Sequence, residues 1–203
     1  MHALFFHGFF MIDKALSLLV TQLNLYIPED PPEVILGNIA LHDAADQDAL
    51  HERIVLSLVN VEEEATLKNS RFYHTLPNTA QYTHAPVFLN LYLLFSANYL
   101  KSYDKALTRI SAVIRFFQSR KTFDISSGTS LPPSPDPDEL SLSLTMELYT
   151  MSFEQVNHLW GTLGGKQMPF VMYKGRLVML QDRKVFREAP LIEEIKTDLQ
   201  STL

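Results

Sequence analysis

An eleven-residue run, VFLNLYLLFSA at 87–97, constrains the fold of this chain more than any other stretch. Its odd positions, Val87, Leu89, Leu91, Leu93, Phe95 and Ala97, are all apolar, while the even ones include Asn90, Tyr92 and Ser96. A period of two with one apolar face is the pattern of a strand packed against a second layer. The run is too short to cross a bilayer as a helix. Pro86 stands at its start, where a missing N–H costs least. The run therefore predicts the central strand of a sheet, with the other strands pairing around it.

The remaining segments can be placed around that strand. Residues 11–26 repeat apolar side chains at Ile12, Ala15, Leu16, Leu19, Leu23 and Tyr26, the spacing of an amphipathic helix, and Pro28, Pro31 and Pro32 end it. Residues 34–41 predict a short strand with Gly37 inside. Residues 54–65 predict a strand apolar on both faces at first and polar from Glu62. Residues 68–85 are polar and unpatterned, and predict a long hairpin connection or loop. A helix is expected over 101–120, with Tyr103, Ala106, Ile110, Val113 and Phe117 on its apolar face. Residues 126–139, rich in Ser and Pro, predict a loop or connector. Residues 140–149 alternate almost without fault, as an antiparallel strand wet on one face would. Ser152 with Gln155 three residues on is a capping box for a helix through Trp160, ended by Gly161, Gly164 and Gly165. Residues 170–181 predict either a tight hairpin at Lys174-Gly175 or one long strand with a glycine bulge.

The expected architecture is α+β: a mixed, largely antiparallel sheet packed on one face by two or three helices. With 203 residues and 46% apolar content the chain can bury one sizeable core. Residues 1–10 lack both a basic leader region and a small-residue cleavage site, so they are expected to be disordered or a non-native start, with Met11 as the true first residue. Residues 11–187 then form one domain. Residues 188–203 are a tail that continues as a helix on Leu191, Ile195 and Leu199. With no other long apolar run, the chain reads as soluble.

The composition closes off several chemistries. A net charge of −6 argues against a general nucleic-acid binder, because neutralising phosphates needs a basic surface. The absence of cysteine removes disulfides, thiolate catalysis and Cys-based metal sites. His42, Asp43, Asp46, Asp48 and His51 are the best metal candidates. Two histidines nine residues apart match no compact ligand spacing, however, and the 42–51 segment reads as a solvated acidic loop. Glu62 and Glu64 share a strand face while Glu63 does not, which suits a solvated strand end better than acid–base chemistry. No G-x-S-x-G is present, and Leu163-Gly164-Gly165-Lys166 lacks the first glycine and the Ser/Thr of a phosphate loop. We assign no catalytic, cofactor or metal residue.

One charge feature stands out. Between 101 and 121 six cations face one carboxylate, a net +5, which leaves −11 on the rest of the chain. Lys101, Lys105 and Arg109 form a stripe at i, i+4 and i+8. Such a stripe is either a solvated face or a docking surface for an acidic partner. The candidate partner contacts are Lys101, Lys105, Arg109, Arg115, Lys174 and Arg176.

Several runs together resemble one family: MIDKAL at 11–16, VILGNIA at 34–40, IVLSLVNVEEEATLKN at 54–69, PVFLNLYLLFSA at 86–97, ISAVIRFFQ at 110–118 and ELYTMSFEQVNHLWGTLGGK at 147–166. They resemble the N-terminal domain of the cap proteins of extracellular contractile injection systems, the phage-tail-like particles typified by the Photorhabdus virulence cassette and the antifeeding prophage. The resemblance runs from residue 11 to about 180. It implies a fold similar to phage tail terminators, and a structural role in which six copies form a ring on the end of the inner tube and sheath and stop their growth. It further implies no cofactor and no turnover, homo-hexamerisation, tube and sheath partners, and assembly in the cytoplasm before release in an extracellular particle. Neither nucleic-acid binding nor membrane insertion is implied. It favours one continuous strand over 170–181. Two readings from other classes compete with it: a small metal-dependent hydrolase built on the 42–51 loop, and an adaptor that never oligomerises.

Overall fold

The computed structural model describes residues 11–29, 31–44, 48–64, 73–75, 79–83, 88–125, 141–180 and 185–190. Helix α1 (Met11–Tyr26) leads into strand β1 (Val34–Leu36), and two 3-10 turns (Ile39–Leu41 and Asp48–Leu50) lead into β2 (Arg53–Glu63). Short strands β3 (Tyr73–Thr75) and β4 (Thr79–Thr83) follow, then β5 (Phe88–Asn98), α2 (Tyr103–Ser119), β6 (Thr122–Ile125), β7 (Ser141–Leu148), α3 (Phe153–Thr162), β8 (Phe170–Leu180) and β9 (Val185–Pro190).

The main sheet has six strands in the order β1-β2-β5-β8-β7-β6, so β5 is central, as its alternation predicts. Only the β1–β2 pair is parallel. The fold is α+β. The odd side chains of β5, Leu91, Leu93, Phe95 and Ala97, join Ile54 and Leu56, Leu144 and Met146, and Val171, Tyr173 and Leu177 in the larger core. Helix α1 covers that face with Ala15, Leu16, Leu19 and Leu23, and α2 covers it with Ala106, Ile110, Val113 and Phe117. An aromatic knot fixes α2 on the sheet: the Phe117 ring lies 5.4 Å from Phe95 and 4.6 Å from Tyr173, and Phe116 stacks on Phe123 at 5.7 Å.

The helices do not all share one face. Leu94 and Val55 point the other way, into a second core with Ile39 and Leu50, against which Leu159 of α3, Leu163 at its C-cap and Phe170 pack. Helix α3 therefore lies opposite α1 and α2. This is why β2 begins apolar on both faces: Ile54, Val55 and Leu56 are all fully buried. Trp160 is buried edge-on against Phe170, as a packing residue should be.

Several local expectations are corrected. The first strand stops at Leu36, and Gly37 follows it, because a Cβ there would meet Leu50 Cδ2 at 2.8 Å. Helix α3 runs through Gly161 to Thr162 and ends at Gly164 and Gly165, whose φ angles of 104° and 80° suit glycine. The capping box at Ser152 and Gln155 is present. Tyr103 opens α2 but stays 65% exposed. The 68–85 connection includes two strands that join β9 in a small sheet of order β3-β4-β9. Glu188 to Pro190 pair with β4 as strand, not helix, and residues 191–203 lie outside the described residues. So do residues 1–10, Asp46 and residues 126–139.

Strand β8 is continuous. It pairs with β5 and β7 across Gly175 without a shift, so there is neither hairpin nor bulge at that glycine. Its reason is packing: a Cβ would sit 3.0 Å from Leu144 Cδ1 and 3.2 Å from Met146 Sδ. The irregularity lies in β2, where the register to β5 slips between Leu58 and Asn60. Ahead of the slip Leu58 faces Leu93, and beyond it Val61 faces Leu91 and Glu62 faces Asn90.

Candidate docking surface

The basic stripe on α2 is largely consumed inside the molecule. Glu33, only 4% exposed just before β1, receives a hydrogen bond from Arg109 Nε at 2.8 Å and another from the Tyr99 hydroxyl. Lys105 Nζ stands 3.6 Å from the same carboxylate and 5.0 Å over the Tyr99 ring. The second nitrogen fork of Arg109 binds Glu29 at 2.5 Å. Burial pulls the Arg109 pKa down, but the bonds to Glu29 and Glu33 outweigh it and the net shift is upward. Burial, followed by the bond to Glu33, drives the Tyr99 phenol far above its ordinary range. The cluster ties α2 to the connector between α1 and β1. Neither glutamate was singled out from the sequence; the usable signal was a carboxylate set directly against an apolar strand, opposite a helix with surplus positive charge.

The other four cations stand differently. Lys101 precedes α2 and is exposed; its backbone N–H donates to Glu52 Oε1 at 3.3 Å, but its ammonium has no partner among the described residues. Arg115 is exposed on α2 and likewise unpaired among the described residues. Lys174 and Arg176 project from the sheet face opposite α1 and α2, where they sit across from Tyr92 and Asn90. The buried Nε of Arg176 and Oδ1 of Asn90 both lack hydrogen-bond partners among the described residues.

That face is only partly covered. Beside α3 it opens into a groove of about 200 Å³, bounded by Val59, Asn60, Glu62 and Tyr92 on the sheet and by Tyr149, Met151, Gln155, Leu159 and Met172 on the far side. Tyr92 and Tyr149 meet edge to face at 5.2 Å. The Tyr92 hydroxyl and Asn60 Nδ2 both donate to the Glu62 carboxylate, at 2.9 and 3.1 Å. Asn90 Nδ2 donates to Glu64 at 2.9 Å. Partial burial, the bond to Glu62 and the negative charges nearby push the Tyr92 pKa up to about 12. Glu62 and Glu64 thus share a face, as the strand period requires, and form a hydrogen-bonded acidic rim.

The 42–51 loop is solvated at its described acids, Asp43 and Asp48, but not at His42. His42 is buried, with Nδ1 2.9 Å from the Ile39 carbonyl, and His51 Nε2 lies 2.9 Å from the His42 carbonyl. Each imidazole spends one nitrogen on loop backbone, and Asp43 pairs with Lys166 from the glycine turn after α3, which holds its carboxyl below the usual range. Among the described residues no three His, Asp or Glu side chains are placed to hold a metal ion. No described helix is long and apolar enough to cross a membrane.

The Pvc16 N-terminal domain family matches residues 15–194 of this sequence. The chain belongs to that family. No curated protein matches the sequence significantly. Two of the solved structures similar to this chain share its fold. One is the sheath/tube terminator of an extracellular contractile injection system, PVC, in its extended state, at a TM-score of 0.56 and 13% identity over 95% of this chain. The other is the tube-terminating cap of the anti-feeding prophage, at 0.55 and 15% over 93%. The chain spans 64% and 60% of those two proteins, under two thirds of each.

Proposed function

We propose that this chain is a structural cap subunit of a contractile, phage-tail-like injection particle. Six copies form a ring that seats on the last rings of tube and sheath and stops further addition. Assembly takes place in the cell, and the ring leaves with the particle. The family match over 15–194 carries this reading, and the fold shared with two tube-terminating proteins supports it. The role is architectural: it needs rigid surfaces and complementary contacts, with no turnover. A six-stranded sheet carrying a helix layer on one side and a partly open, charged face on the other supplies such surfaces. Among the candidate contacts, Lys101 and Arg115 are exposed and unpaired among the described residues and Lys174 and Arg176 lie half-buried on the open sheet face, so these four are the contacts left for partners, whereas Lys105 and Arg109 serve the fold.

Mass determination in solution, alone and with tube or sheath fragments, tests the proposal. The expected species is a hexamer, formed alone or on filament ends, and its addition to growing filaments arrests their length. A strict monomer in every condition, with filament growth unchanged, refutes it.

A further inference from the structure

The described surface carries one corner that is both apolar and cationic. Tyr103 and Leu107, 65% and 45% exposed, stand one turn apart on one flank of α2, and Leu100, 69% exposed, lies in the bend that leads into the helix. The opposite flank of α2 is anchored by the Glu29–Glu33 cluster. Lys101 sits within this apolar patch. Its backbone is pinned by Glu52, so the corner is fixed in place, while its ammonium is unpaired among the described residues. Single exposed apolar side chains are ordinary, but three clustered at the start of one helix beside a cation unpaired among the described residues make a contact patch.

The groove on the other side of the sheet has the complementary chemistry. Val59, Met151, Leu159 and Met172 give it apolar walls, and the Glu62 carboxylate stands at its edge. Tyr92 and Asn60 orient that carboxylate, and an ionised carboxylate accepts about four hydrogen bonds, so it has capacity for a cation. The volume of about 200 Å³ suits one or two side chains.

We propose that the Leu100–Lys101 corner of one copy docks into the Glu62 groove of the next, with Leu100 between the apolar walls and Lys101 on Glu62. The corner lies on the α2 side of the sheet and the groove on the α3 side. A head-to-tail contact of this kind is heterologous: repeated around an axis it closes into a ring, and only closure prevents an open filament. The inference rests on the ring reading above and names the surfaces that would make it.

The absence of cysteine makes the test direct. Lys101→Cys and Glu62→Cys proteins, mixed with filament ends and treated with a bis-maleimide whose span matches an extended Lys–Glu pair, give a heterodimeric cross-link in far higher yield than either protein alone. The double variant gives a ladder of multimers. Lys101→Glu or Glu62→Lys alone raises the concentration needed for ring formation about tenfold, and the two together restore it. Circular dichroism checks that each variant is folded. A hexamer that forms no cross-link and ignores both charge changes overturns this interface and leaves the ring standing. A protein that stays monomeric with filament ends present overturns both.

Discussion

Glu33 and Arg109 form the most consequential polar contact described here, and its removal has a calculable cost. The Glu33 side chain is 5% exposed and that of Arg109 17%, so neither group can recover its lost bond from bulk water. Arg109→Met keeps the stem that packs along α2 and deletes the guanidinium. Breaking a buried pair from one side costs about 3–5 kcal/mol, because the remaining charge stays desolvated. Lys105 at 3.6 Å and the Tyr99 hydroxyl still face Glu33, which argues for the lower end of that range. A loss of about 3 kcal/mol lowers Tm by roughly 6–12 °C in a chain of this size. Glu33→Gln costs less, since the amide oxygen still accepts from Tyr99 and Arg109 keeps Glu29. The double variant removes both charges, so its loss falls short of the sum of the singles by about 1–3 kcal/mol. Urea melts followed by circular dichroism measure all four corners of the cycle. Additivity within about 0.5 kcal/mol would refute the coupling and return Arg109 to the pool of free surface cations. Lys105 and Arg109 are tied to the fold, so charge reversal there changes stability, and Lys101, Arg115, Lys174 and Arg176 are the positions whose variants test docking.

Three further outcomes follow from single contacts. Gly175→Ala costs roughly 1–2 kcal/mol, because the added methyl meets buried Leu144, whereas Gly161→Ala, with nothing within 4 Å inside α3, stabilises by about 0.5–1 kcal/mol; thermal melts separate the two. Ser152→Ala removes the cap that accepts from Gln155 N at 3.3 Å and destabilises by about 1 kcal/mol in the same assay. In an alkaline titration followed by ultraviolet absorbance, Tyr92 ionises near 12 and its wave is absent in Tyr92→Phe. A phenol whose folded pKa lies above its unfolded value of 10.0 holds its contribution below pH 10, and that contribution is lost as pH rises toward 12.

The main-sheet elements with strong periodicity were legible in the sequence. The alternation of 87–97 marks a strand with an apolar face, and its central place comes from β2 and β8 pairing on its two edges. The 3.6 period marks α1 and α2, and the Ser152–Gln155 box marks the start of α3. What escaped was set by tertiary contact. The β4–β9 pairing joins distant segments, Gln81 with Glu188 and Tyr82 with Arg187, and nothing in their local pattern announces it, whereas the β3–β4 pair at Tyr73 and Tyr82 is local. Gly175 reads as a turn or bulge until Leu144 and Met146 are seen to need its missing side chain. The position of α3 opposite the other helices depends on Leu159 and Leu163 meeting Leu94, which is a question of layers. Lys105 and Arg109 looked available because a helix surface shows its charges without its neighbours. The groove was invisible for the same reason, since its walls come from four separate segments.

Val59 is an extra residue between two correct registers. Leu58 and Asn60 on either side of it face Leu93 and Tyr92, which are themselves adjacent, so deleting Val59 would leave each rung of the β2–β5 ladder with the partner it has now. The insertion instead bends the strand and turns Val59 and Asn60 together toward the groove. Chain length at this point is therefore a control on surface shape that leaves the core untouched. Among related chains, the gain or loss of one residue here would recut the groove while Ile54, Leu56 and Phe95 kept their packing.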